Sequence, residues 1–124
     1  MNDLRRLDAT AVVTGGSSGI GLATVDLLLA RGARVALCGR DAVRLDQAVR
    51  GLADRHPDAR QRLFAQACDV LSAEQTARFA RDSEAALGPA SILVNNAGQG
   101  RVSTFAGTDD AAWTEELHLK FFSV

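Results

Sequence analysis

The run Thr14-Gly15-Gly16-Ser17-Ser18-Gly19-Ile20-Gly21 follows the apolar Ala11-Val12-Val13 and opens a helical pattern over residues 20–31. A chain that passes from a strand through clustered glycines into a helix is constrained to an α/β fold, with the turn at the carboxyl end of a parallel strand. The helix N-terminus carries a partial positive charge and unpaired N–H groups. Glycines let that backbone approach a pyrophosphate that a Cβ would hold off. The turn is therefore expected to cradle a dinucleotide phosphate. The useful glycines stand at 15, 19 and 21 with Gly16 as an extra, so the spacing departs from G-x-G-x-x-G. Any tight strand-to-helix connection in an α/β protein is the competing reading of such a turn.

Further along, β-type runs at 10–14, 34–38, 63–68 and 91–95 alternate with helical patterns near 20–31, 41–55, 73–87 and 109–123. That alternation implies parallel strands joined by right-handed crossovers. The strands read as nearly continuous hydrophobics, as expected when helices cover both faces. The predicted fold is a doubly wound α/β sheet, Rossmann-like and incomplete, with strand order 3-2-1-4 in a single domain over residues 1–124. Gly32 and Gly88-Pro89 close helices, Gly51 interrupts the second, and Ser72 and Thr108 stand where N-caps belong. In this order the ligand crevice lies at the carboxyl ends of strands 1 and 4, between Gly15–Gly21 and Asn95–Gly98.

A net charge of −1, a pI near 6.1 and the lack of a basic stripe interleaved with aromatics argue against nucleic acid as a partner. No stretch approaches the roughly 20 apolar residues that span a bilayer, and the N-terminus has no signal-peptide pattern, so a cytoplasmic protein without membrane association is expected. Cys38 and Cys68 sit in apolar company without metal-ligand spacing and read as buried free thiols; no metal site is expected. His56 and His118 read as solvated.

Four segments together resemble the N-terminal, cofactor-binding half of a short-chain dehydrogenase/reductase. They are Thr14 to Gly21 after strand 1, Cys68-Asp69-Val70 after strand 3, Asn95-Asn96-Ala97-Gly98 after strand 4, and Trp113 leading the fourth helix. The resemblance runs from about residue 9 to the C-terminus. It implies that the backbone around Ser17, Ser18, Gly19 and Ile20 meets the pyrophosphate, with Gly15 and Gly21 shaping the turn. It further implies that Asp69 and Val70 frame the adenine, and that Asn96, Ala97 and Gly98 lie along the ribose and nicotinamide. Asp69 has a second reading as a turn or helix cap. Asn95 reads equally as a structural tie between strand 4 and its neighbour.

Cofactor choice is expected just past strand 2, where a carboxylate holds a ribose 2′-hydroxyl and an arginine accommodates a 2′-phosphate. Gly39 and Arg40 stand there, which favours NADP, with NAD as the alternative; Asp41 is free to cap the next helix or pair with Arg44. The resemblance implies hydride transfer between NADP(H) and a small alcohol or carbonyl substrate, and a homo-oligomer at full length. The family's proton donor is a tyrosine with a lysine four residues later. This chain has no tyrosine, and its single lysine is Lys120. No catalytic residue is therefore assigned within it, beyond Lys120, which stands seven residues after Trp113 where many relatives carry a relay asparagine. Lys120 reads either as a variant relay member or as a surface residue. The loop Gln99 to Phe105 has no decisive charge pattern, and Arg101 reads as solvated.

The chain by itself is accordingly expected to be inactive, truncated before the catalytic segment, and marginally folded or self-associating. Strand 4 is expected to form an open edge, beside a helix presenting Leu117, Leu119, Phe121 and Phe122. The alternative is a non-catalytic dinucleotide-binding module, whether a pseudoenzyme or a broken gene product. A plain structural α/β protein is the third reading.

Overall fold

The computed structural model describes residues 6–98 and residue 111. Four strands, β1 (Thr10–Thr14), β2 (Arg34–Gly39), β3 (Leu63–Ala67) and β4 (Ile92–Val94), alternate with α1 (Gly19–Ala30), α2 (Ala42–Arg55) and α3 (Ala73–Leu87). All pairings are parallel and the order is β3-β2-β1-β4, as the sequence pattern predicts. The reversal of direction after β3 places β1 and β4 side by side, and the crevice between their carboxyl ends is the consequence.

The pleat of β2 divides the core. Val35 and Leu37 point to one face, where α1 contributes Val25 and Leu29 and α2 contributes Leu45 and Leu52. Ala36 and Cys38 point to the other, where Phe79 of α3 packs with Cys68. Buried positions at 25 and 29 on α1, and at 45, 48 and 52 on α2, recur at helical spacing, so each helix buries one stripe against the sheet. Phe64 of β3 stacks on Phe79 with ring centroids 6.4 Å apart. At about 1.5–3 kcal/mol for each fully buried large aliphatic side chain, these two layers are the main stabilising term. β4 forms one edge of the described sheet, and Leu93 on it is 61% exposed.

The element ends follow local chemistry. Asp41 Oδ1 accepts from Val43 N and Arg44 N at 3.0 and 3.1 Å, so Asp41 caps α2. Ser72 Oγ accepts from Gln75 N at 3.2 Å and caps α3. Gly51 does not interrupt α2, which runs through it to Arg55, because one glycine costs only about 1 kcal/mol and the buried stripe continues on both sides. The segment after α2 is a 3-10 turn, Pro57–Arg62, rather than an irregular loop. His56, expected to be solvated, is largely enclosed: its Nε2 lies 2.6 Å from Asp26 Oδ1, which also accepts from Arg55 Nε at 3.2 Å. The His56 hydrogen bond outweighs the effect of burial and holds the Asp26 carboxyl below its ordinary range. Apart from Ala111, the fourth helical pattern lies outside the described residues, as do Thr108, Trp113, Leu117, His118, Leu119, Lys120, Phe121, Phe122 and the segment 99–105.

Candidate functional site

A cleft of about 400 Å³ opens at the carboxyl end of the sheet. One wall is the glycine turn, with Gly15, Ser17, Ser18, Gly19 and Ile20; the opposite lip is Asn96, Ala97 and Gly98. The far end is formed by Cys38, Gly39, Arg40, Asp41 and Arg44, and Cys68 and Val70 complete the floor. The topology brings together at this one place segments separated by up to 83 residues in the chain.

Thr14 joins the two lips. Its Oγ1 accepts from Asn96 N and Ala97 N, both at 3.0 Å, and its hydroxyl faces Val94 O at 3.5 Å. Asn96 Nδ2 returns the connection by donating to Gly15 O at 3.2 Å. Gly15 has a φ of 64°, and a Cβ there would come within 2.9 Å of Ala97 Cα, so glycine is required both by conformation and by space. It is Asn96 that ties the end of β4 to the turn beside it. Asn95 instead borders the groove between α3 and the β1–β4 edge.

Gly19, at φ 56°, begins α1 with no atom within 4 Å of the place a Cβ would take. Ser18, the N-cap, makes no side-chain hydrogen bond to the helix, and no acidic residue stands in its first turn. The start of α1 thus borders the cleft with neither a capping side-chain oxygen nor a carboxylate in its first turn, which is the electrostatic setting for an anion. Gly21 lies one layer deeper: a Cβ there would fall on the Gly15 carbonyl.

Asp69 serves the turn into α3, with Oδ1 accepting from Leu71 N at 3.0 Å and its own N–H donating to Gln75 Oε1 at 2.9 Å. Val70, its neighbour, reaches the cleft wall. Asp41 is the one carboxylate among the described lining residues, and its Oδ1 is engaged by the two α2 amides. Arg44 was not singled out by the sequence as a site residue. The available signal was the N-cap: a helix starting at Asp41 puts position 44 in its first turn, at the same end of the sheet as Arg40. Cys38 and Cys68 are free, buried thiols; burial first, then the neighbouring Cys68, pushes the Cys38 thiol up to about 12. At neutral pH Cys38 is a neutral wall, not a nucleophile.

Residues 9–124 match the family model described as short chain dehydrogenase. A short chain oxidoreductase from Pseudomonas aeruginosa PAO1, solved with NADPH bound and described as containing an atypical catalytic center, is 67% identical with a TM-score of 0.88, over 94% of this chain and 44% of that one. L-sorbose reductase from Gluconobacter frateurii, complexed with NADPH and L-sorbose, is 33% identical with a TM-score of 0.86, over 98% and 45%. A galactitol 2-dehydrogenase (L-tagatose-forming) from Cereibacter sphaeroides is 42% identical over 113 residues, 90% of this chain and 42% of that protein. The chain thus spans less than half the length of these relatives.

Proposed function

The chain belongs to the short-chain dehydrogenase family, and from that premise we propose that it forms the cofactor-binding part of an NADPH-dependent oxidoreductase acting on an alcohol or carbonyl group of a small molecule. The carrying observation is the cleft's charge arrangement. The open N-terminus of α1 lies at one side and Arg40 and Arg44 at the other, while the single lining carboxylate is held in a helix cap. That donor set suits a pyrophosphate and a ribose 2′-phosphate, and the lining carboxylate, Asp41, is committed through Oδ1 to the α2 cap.

In this reading the backbone around Ser17 to Ile20 holds the pyrophosphate, Gly15 and Gly21 set the turn, and Arg40 with Arg44 meets the 2′-phosphate. Asp69 and Val70 border the adenine, Asp69 acting through the turn it braces. Asn96, Ala97 and Gly98 present a small, flat lip along the nicotinamide ribose. NADPH, when bound, supplies a hydride to a carbonyl carbon. The chain's own contribution is binding and orientation, because hydride transfer also needs a tuned proton donor and this chain holds no tyrosine. The 67% identical relative is described as having an atypical catalytic center.

Fluorescence titration with NADPH and NADH tests the proposal. NADPH is expected to bind more tightly. Arg40→Ala is expected to weaken NADPH by roughly ten- to a hundredfold, the loss of charge-assisted hydrogen bonds of about 1.5–3 kcal/mol, while NADH changes little. Equal losses for both cofactors would refute the role of Arg40.

A further inference from the structure

Cys38 lies within the β2 ladder, in register with Thr14 on one side and Gln66 on the other. Cys68 stands one residue past the end of β3 and two beyond Gln66, so it falls on the same face of the sheet as Cys38. The two are 1% and 3% exposed, pack in one cluster with Ala36 and Phe79, and are hydrogen-bonded thiol to thiol. Both line the floor of the cleft, which gives a small oxidant a route to them. Their attachments differ. Cys38 is fixed by both strand neighbours and by Gly16 N, which donates to Cys38 O at 3.0 Å. Cys68 is held through its N–H, which donates to Gly39 O at 2.9 Å, and it leads directly into the turn that carries Val70 on the cleft wall.

Resting on the reading of this cleft as an NADPH site, we propose that Cys38 and Cys68 are a peroxide-sensitive dithiol whose disulfide closes the adenine end of the cleft. Burial keeps the Cys38 thiol neutral, so Cys68 is the sulfur that starts the reaction. It attacks one oxygen of the peroxide, the O–O bond breaks, and the other oxygen leaves as water with the thiol proton. The Cys38 sulfur then displaces the hydroxyl of the Cys68 sulfenic acid, and its proton leaves with that hydroxyl as a second water. Two thiols lose two electrons and one peroxide gains them. Bonded sulfurs sit about 2.05 Å apart, closer than any hydrogen-bonded pair, so one cysteine must be drawn in. Cys68 moves because Cys38 is fixed, and Val70 moves with it. By linkage, bound NADPH opposes the disulfide by the factor that the disulfide takes from NADPH affinity.

The test uses the full chain with hydrogen peroxide as oxidant, NADPH as probe and dithiothreitol as reductant. Peroxide is expected to remove two hydrogen atoms by intact mass, with Cys38 and Cys68 linked within one chain. NADPH affinity is expected to fall about tenfold and to return with dithiothreitol. In Cys38→Ala the same treatment is expected to add oxygen at Cys68 instead, with no loss of hydrogen. In mixtures of reduced and oxidised dithiothreitol, saturating NADPH is expected to shift the balance toward the dithiol by the same factor as the affinity loss. Oxygen addition to the unsubstituted chain without the internal cross-link, or a disulfide between two chains, would overturn the pairing. An internal cross-link that leaves NADPH affinity within about twofold would overturn the closure. A reduced chain that binds no NADPH would instead refute the underlying functional reading, and the pairing is then decided by the mass of the peroxide-treated chain.

Discussion

Replacing Thr14 by Val removes one oxygen atom and keeps the branched shape, so the core around β1 loses no volume and the strand keeps a good β-former. What changes is that the amides of Asn96 and Ala97, each 3.0 Å from Thr14 Oγ1, lose their shared acceptor. A buried donor left unsatisfied costs about 1–3 kcal/mol, and these two are only partly buried, so the pair is expected to cost about 2–3 kcal/mol. Against a total of about 5–15 kcal/mol for a domain, that is a large fraction. Urea denaturation followed by circular dichroism measures it as a lower midpoint at unchanged slope. The lip at 96–98 also loses its anchor to the turn, so NADPH affinity is expected to fall about tenfold or more. Thr14→Ser keeps the hydroxyl and should retain most of both properties. If Thr14→Val stays within about 0.5 kcal/mol of the unsubstituted chain, or Thr14→Ser loses as much as Val does, the hydroxyl is not the joint between the lips.

Two other outcomes are expected. Gly19→Val puts a branched group into the open space where α1 begins, so NADPH binding should fall at least about a hundredfold while the chain still folds, at a strain cost of about 1–2 kcal/mol for the positive φ; unchanged NADPH affinity in a folded variant would mean the phosphate lies elsewhere. Asp26→Asn removes the ionised partner of His56 and Arg55 and should cost about 1 kcal/mol at pH 7, the pair being partly solvent-screened. Because the folded-state pKa of Asp26 is depressed, its contribution is present above the ordinary carboxylate pKa and disappears as pH falls through the lowered value. Melting curves of the two proteins should therefore converge in strong acid, and a gap that persists there would show that the carboxylate charge is not its source.

Strand order, the glycine-rich strand-to-helix turn and the cap at Ser72 were legible in the amino-acid sequence, and capping was one of two readings of Asp41, because each has a local physical signature. Apolar runs at strand length alternate with helical periodicity; glycines mark where the backbone must bend or be approached; and short polar side chains stand where helix amides lack partners. The tertiary structure alone decided how distant segments share atoms. Thr14 meets Asn96 and Ala97 across more than eighty residues, Asn96 rather than Asn95 makes the tie to the turn, and Ser17 confronts Gly39. His56 finds Asp26 across thirty residues and is thereby enclosed rather than solvated. Arg44 joins Arg40 at the cleft because Asp41 starts α2 where it does. A hydrogen bond or steric contact of this kind depends on the register of parallel strands and the rotamers above them, and neither leaves a periodic trace in the chain. The sequence therefore specified where the glycine turn and the start of α1 fall, and packing specified which side chains hold that backbone in place.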